Sequence, residues 1–291
     1  MRTNALRDWL KGHLYLLVLI VFVFIDLVLL SALLRSHHDT LRVTFLDVGQ
    51  GDAVFIESPS GNQMLYDAGP PSGAVLRELA HVMPFWDRSI DVAVFSHPDM
   101  DHIGGFVDVL DRYKVDLQLE PGSHSENGVY DADERAVQKE GAAHFIAHQG
   151  MTIDLGGGVK ADVLYPDHDM SSAETNSSSI VLRIRYGTTA FLLSGDLPQE
   201  EENYVVSLYG DGLHANVLKA GHHGSRTSSS PLWLTAVHPD TFVISAGKDN
   251  HYGHPHKEVL ELLDTMHIPK LITFEEGDIT FESDGSTVVR K

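Results

Sequence analysis

Five apolar runs in this chain end in a burst of polar, ionisable residues and then turn sharply at glycine or proline. They are "LYDAG" with Asp67, "FSHPDMDH" with His97, Asp99, Asp101 and His102, "LLSGD" with Asp196, "LKAGHHGS" with His222 and His223, and "ISAGKDNHYGHPH" with Asn250, His251, His254 and His256. An ionised carboxylate at the end of a buried strand is costly unless it is paired or bound to a metal. Loops at strand ends of a rigid scaffold are the usual seat of binding and catalytic groups. The pattern predicts a sheet protein whose strand ends converge on divalent cations.

The spacing within "HPDMDH" adds detail. His97 and Asp99, two apart, point the same way from an extended loop, and Asp101 and His102 then reach a second ion. A carboxylate arriving from another strand, such as Asp196, bridges the two. Cations held ~3.5–4 Å apart lower the pKa of a shared water and give hydroxide near neutral pH. Imidazole with several carboxylate oxygens suits zinc, manganese or iron. The chain has no cysteine, which excludes disulfides and thiolate ligands. Of its 18 histidines, His124, His144, His148, His168, His214 and His238 lack such a context and read as surface or packing residues, and His37 and His38 as linker. The net charge of −20 argues against a broad basic surface gripping a phosphate backbone. It does not exclude nucleic acid as a substrate, because bound cations reverse the local potential.

The N-terminal segment differs from everything after it. Residues 14–34 are almost wholly apolar, long enough at ~1.5 Å per residue to cross a ~30 Å hydrocarbon core. The preferred reading is an uncleaved transmembrane signal anchor, against a cleaved signal or a helix buried in a larger partner. Arg2, Arg7 and Lys11 before it put residues 1–13 in the cytoplasm and the bulk of the chain outside, extracellular or periplasmic. Asp26 lies inside the span and needs a partner or a proton. Residues 35–40 are a linker, and residues 41–291 alternate short β-runs with helices and show no internal repeat. A helix is expected over residues 130–142, and a strand over residues 270–274. Strand sets interleaved with helices predict an α/β (α+β) domain of two sheets, each covered by helices on its outer face.

The ordered set "FLDVGQGDAVFIESPSGNQMLYDAG", "FSHPDMDHIGG", "NSSSIVLRIRYGTTAFLLSGD", "LKAGHHGS" and "SAGKDNHYGHP" resembles the metallo-β-lactamase-fold hydrolases. It is most similar to the extracellular hydrolase domain of ComEC-type DNA-uptake (competence) proteins. The resemblance implies a four-layer αββα sandwich with two divalent metal ions, zinc or manganese, at one edge. By position it implies His97, Asp99, Asp101, His102, Asp196 and His222 as metal ligands, with His223 adjacent as a substrate or supporting contact. Asp67 supports the metal loop, or is simply a turn residue; Asp47 and Asp52 fix neighbouring loops. Asp101, His223 and His254 are the expected catalytic groups. Asn176, Ser225, Asn250, His251, Tyr252 and His254 are the expected substrate contacts, with His254 steadying the transition state or protonating a leaving oxygen. Asp99 stands where the wider superfamily has a histidine, and "ETNSSSIVL" supplies no imidazole ahead of Asp196. One metal is therefore expected to be held more weakly. With one apolar span, the chain resembles the hydrolase domain on a tether and not the channel. The implied activity is a metal-dependent phosphodiesterase or nuclease acting on DNA, tied to the membrane and partnered with a DNA-uptake machine. The alternatives are hydrolysis of a smaller ester, such as a cell-wall phosphocholine ester or lactone, and a non-catalytic docking role.

Overall fold

The computed structural model describes residues 2–35, 39–125, 128, 130, 132, 135 and 141–291. Most of the helix expected over residues 130–142 lies outside them, as do His37 and His38. The first unit is a single helix, α1 (Arg2–Arg35). Its stretch Lys11–Val28 is long and apolar enough to cross a bilayer, and its side chains are exposed.

The second unit starts at Asp39. Strands β1 (Leu41–Phe45), β2 (Val54–Glu57), β3 (Gln63–Tyr66), β4 (Ser89–Val94), β5 (Lys114–Glu120) and β6 (Ala143–Ile146) build most of one sheet. Strands β7 (Thr152–Gly156), β8 (Val159–Tyr165), β9 (Val181–Tyr186), β10 (Thr189–Leu193), β11 (Val217–Lys219), β12 (Thr241–Ile244) and β13 (Lys270–Ile272) build the other. The chain then returns to the first sheet with β14 (Ile279–Ser283), antiparallel to β1, and β15 (Val288–Arg290).

Alternation along the strands sorts side chains into layers. Val43, Phe45, Ile56, Met64 and Val94 of the first sheet pack on Ala161, Leu182, Ile184, Phe191 and Val243 of the second, forming the core between them. On the outer face of the first sheet, Phe55, Leu65 and Ala93 meet Val75 and Leu79 of α2 (Ala74–Val82). They also meet the helix after a short turn, α3 (Met100–Ile103): Phe106 and Val109 of α4 (Phe106–Arg112). On the outer face of the second sheet, Leu192, Leu218 and Phe242 meet Val205 of α5 (Gln199–Tyr209), Trp233 and Leu234 of α6 (Pro231–Val237), and Val259 and Leu263 of α7 (Lys257–Thr265). Each of the larger side chains contributes ~1.5–3 kcal/mol on burial. The result is the expected αββα sandwich.

Three short elements depart from the sequence reading. Residues 100–103 form a helical turn where an extended loop was expected, with the amides of His102 and Ile103 both donating to the Asp99 carbonyl at 3.0 Å. The last part of the "KLITF" run enters a helix, α8 (Thr273–Glu276), where the Thr273 hydroxyl accepts the Ala246 amide at 3.1 Å. β15 was not foreseen; two of its three residues are exposed and carry no core pattern. Strands β3 and β4 run parallel, as do β10, β11 and β12. Their C-terminal ends therefore bring the polar loops to one edge of each sheet.

Candidate metal centre

The loops reach the centre through backbone conformations that most residues avoid. Asp67, His222 and His223 all have left-handed φ angles, of 60°, 49° and 54°. Each costs of order 1–3 kcal/mol and persists only where its surroundings demand it. Gly195 has φ 50°, and a Cβ there would meet the Ser96 and Ser179 hydroxyls at 2.9 and 3.0 Å. At Gly51, φ 133°, a Cβ would lie 2.1 Å from the Asp101 carbonyl oxygen. That close approach lets the next amide, of Asp52, donate to the same oxygen at 3.2 Å.

Three imidazoles are anchored from behind. His102 Nδ1 donates to Asp67 Oδ2 at 2.8 Å, and His223 Nδ1 donates to the Ser245 carbonyl at 3.0 Å. His97 Nδ1 lies 3.0 Å from Ser96 Oγ, which itself donates to Asp67 Oδ2 at 2.7 Å. The Ser96 amide donates to the other Asp67 oxygen at 2.8 Å. Asp67 therefore fixes both the loop and two rings, the arrangement that orients metal-binding histidines.

The opposite ring nitrogens have no hydrogen-bond partner. His97 Nε2, His102 Nε2, His223 Nε2 and Asp196 Oδ1 are all buried and unpaired. Unpaired buried polar atoms are expensive, so the site is built to receive something. His102 Nε2 is 3.2 Å from Asp196 Oδ1, and His223 Nε2 is 3.3 Å from Asp101 Oδ2 and 3.6 Å from Asp196 Oδ2. On the other side His97 Nε2 is 3.6 Å from Asp99 Oδ2 and 3.9 Å from Asp196 Oδ2, and His222 Nε2 is 3.6 Å from Asp196 Oδ2. Ligand bonds of ~2.0–2.2 Å in tetrahedral array place donors about 3.3–3.6 Å apart. The donor set fits divalent cations.

Behind these ligands sits a buried ion pair. The Lys219 ammonium, fully buried, pairs with Asp52 Oδ2 and donates to the Gly195 carbonyl at 2.9 Å. Burial would pull the Lys219 pKa down, but the Asp52 and Asp196 carboxylates outweigh it and hold it up. Burial likewise pushes His102 and His223 down, and Asp196 with its neighbouring carboxylates reverses this. His102 rises well above its usual range and His223 to about 10. Asp196, which burial alone would raise, is held well below the carboxylate range by His102 and His223. The clustered carboxylates thus favour positive charge at the centre.

The structure brings together His97, Asp99, Asp101, His102, Asp196, His222 and His223. Asp52, expected to fix a loop, lies with His102, Asp196 and His223 in one buried group whose ligand atoms are all within 4.8 Å of one another. His223 occupies the inner position in that group, whereas the His222 side chain is 28% exposed at the cleft wall. The resemblance had implied His222 as the ligand, with His223 beside it. The cleft of about 170 Å³ is lined by Gln50, Asp99, Asp101, Asp196, His222, His223, Tyr252 and His254.

Several expected substrate contacts do other work. The Asn250 amide is spent within its own loop, donating to the Gly247 and His254 carbonyls at 2.9 and 2.6 Å and accepting the His254 amide at 3.0 Å. Ser225 is buried and its hydroxyl accepts from Thr227 at 2.9 Å. Asn176 opens a turn outside the cleft wall. Asp47 accepts the Gly49 amide at 3.3 Å and fixes the preceding loop. His254 does line the cleft, where burial and the neighbouring His222 and His223 push its ring down to about 4. Sequence reasoning missed Lys219 and Gln50. A lysine ending the apolar run of β11 was the available signal for the first; Gln50 carried none.

A profile of the Metallo-beta-lactamase superfamily matches residues 46–248. The chain belongs to the metallo-β-lactamase superfamily. Within it, the chain is 32% identical over 256 residues to ComE operon protein 3 of Bacillus subtilis, covering 82% of this chain and 33% of that protein. It is 34% identical over 239 residues to competence protein ComA of Neisseria gonorrhoeae, covering 82% and 32%. The chain thus spans about a third of the length of these curated relatives. The expected likeness to ComEC-type competence proteins is borne out. The metallo-β-lactamase fold protein YhfI of Bacillus subtilis superposes with a TM-score of 0.56 at 14% identity, covering 84% of this chain and all of that one, and shares the fold.

Proposed function

We propose that the chain is a phosphodiesterase that cleaves DNA with two divalent cations, zinc or manganese. The observation that carries this reading is the set of buried, unpaired ring nitrogens aimed at Asp196. In the proposed arrangement His97, Asp99 and His222 would hold one cation and Asp101, His102 and His223 the other, with Asp196 placed between the two groups. Charge supports the number two. Among the described residues Asp52, Asp67, Asp99, Asp101 and Asp196 meet one buried ammonium, that of Lys219; with the imidazoles neutral, as ligands must be, four negative charges remain for two divalent cations to balance.

Bound there, such cations supply charge neutralisation at a phosphoryl oxygen and a lowered pKa for solvent. The chain's own residues supply order. Asp67, Ser96 and the Ser245 carbonyl lock the rings, and the Lys219–Asp52 pair backs the loop that carries Asp196. Gln50 Nε2, buried and unpaired beside the cleft, is the donor for a non-bridging phosphoryl oxygen. The apolar helix α1 and the competence proteins among the relatives support a membrane tether, a domain outside the cytoplasm and a DNA-uptake machine as partner.

The test is turnover of single-stranded DNA and bis-p-nitrophenyl phosphate with added manganese or zinc, with Asp101→Ala alongside. Cleavage that collapses in the variant supports the reading; no turnover, or turnover indifferent to Asp101→Ala, refutes it. A smaller ester is the second reading, favoured by the lack of any lysine or arginine among the described cleft-lining residues. A kcat/KM for a phosphocholine ester or lactone far above that for the DNA strand would select it.

A further inference from the structure

A row of rings runs from the buried centre to the surface. His223 and His222 lie 6.1 and 5.3 Å, centroid to centroid, from His254. His254 is stacked on Tyr252 at 5.6 Å with planes 19° apart, and Tyr252 lies 3.9 Å from His251. His223 and His254 are buried parts of the site, but Tyr252 is 54% exposed and His251 is exposed beside it. An exposed aromatic pair at the lip of a polar cleft is not explained by packing. It is also held in place: the three hydrogen bonds of Asn250 staple the loop from Gly247 to His254. Order of this kind lowers the entropy lost when a ligand stacks on it.

The surroundings narrow the ligand. Among the described residues lining the cleft none is lysine or arginine, and the chain carries a net charge of −20. A nucleic acid strand therefore gains little from phosphate contacts with side chains, and its affinity must come from the centre itself and from stacking. The metal-facing nitrogens are buried, so the phosphate must enter a narrow cleft with its neighbouring base turned outward.

We infer that the exposed His251–Tyr252 pair is a stacking platform for an unpaired base next to the scissile phosphate, which makes a single strand the preferred substrate form. The inference rests on the phosphodiesterase reading of the centre and adds to it a subsite and a strand preference. Stacking on an aromatic side chain is sequence-tolerant, because every base offers a π face. Few phosphates are contacted, so binding also falls only shallowly with salt.

The experiment uses the whole protein and single-stranded oligonucleotides that carry one 2-aminopurine or one abasic position, moved along the strand. The expected result is fluorescence quenching at one register. Tyr252→Ala should weaken binding of the intact strand roughly 5- to 150-fold and remove the quenching. Tyr252→Phe should keep both. In the double-mutant cycle, an abasic position at that register should cost the wild type the same factor and cost Tyr252→Ala nothing further. Equal weakening of intact and abasic strands by Tyr252→Ala, or equal affinity for a blunt duplex, would overturn the inference. Quenching is read without cleavage. A protein that stacks the base but does not hydrolyse the strand would refute the phosphodiesterase reading and leave the platform standing.

Discussion

Among the described residues, two places gather acidic and histidine side chains closely enough to hold a cation, and one of the two has the construction of a metal site. At the strand ends, Asp52, His102, Asp196 and His223 are buried. The two rings are tied down through Nδ1, and their Nε2 atoms face inward unpaired. On the outer surface Glu78, His81 and Asp278 are also within reach of a common ion. There the His81 ring, 72% exposed, spends its Nδ1 on Glu78 at 3.1 Å, and Asp278 spends one oxygen on the Asp47 amide at 2.8 Å. Water competes freely for whatever remains. Proximity alone does not make a site; burial, anchoring from behind and unsatisfied donors aimed at one point do.

Substitutions at the two places should separate them. Asp196→Ala should have the largest effect, since both proposed cations share this residue. We expect at least about a 10³-fold loss in kcat/KM, the several kcal/mol of charge stabilisation that cations supply, measured on a phosphodiester substrate. Lys219→Met should act on stability instead. It leaves Asp52 buried without its ammonium and should cost about 3–5 kcal/mol in denaturant unfolding of the metal-free protein. Asp67→Asn weakens the hold on His102 and on the Ser96 loop, and should lower metal affinity about 10- to 100-fold by equilibrium dialysis. His81→Ala, at the surface cluster, should change stability by less than about 0.5 kcal/mol and leave metal content as it was. A metal lost from His81→Ala would erase the contrast between the two clusters.

A pH titration sharpens a different part of the edge. Glu202 on α5 accepts the amides of Ser229 and Ser230, both at 2.7 Å, just beyond the His222–His223 turn. Burial pushes its carboxyl up to about 7 from 4.5, against the pull of those amides. The folded state therefore binds the proton more tightly than the unfolded chain. The associated stability is full below pH 4.5 and is lost as pH rises through 7, a change of up to about 3 kcal/mol. Urea melts of the metal-free protein at pH 4.5 and 7.5 should show that decline, and Glu202→Gln should flatten it.

The sandwich and the ligand loops were legible because their signals are local. Apolar runs with abrupt polar ends mark strands that deliver groups to an edge, and "HPDMDH" packs its donors into six positions. What was hidden depends on backbone geometry or on distant partners. The order of His222 and His223 follows from two successive left-handed residues, which spacing does not reveal. Asn250 looked like a substrate contact because its loop carries histidines, but the loop curls back and consumes the amide. Lys219 reads as an ordinary strand end until Asp52, 167 positions earlier, is seen beside it. Thr273 belongs to a β-like run but starts a helix, with its hydroxyl spent on the distant Ala246 amide.

The most direct measurement is the metal content of the purified whole protein after dialysis against manganese or zinc, with Asp196→Ala treated in parallel. The account predicts close to two equivalents in the wild type and a large loss in the variant. A wild type that retains none, or a variant that retains as much as the wild type, would contradict it.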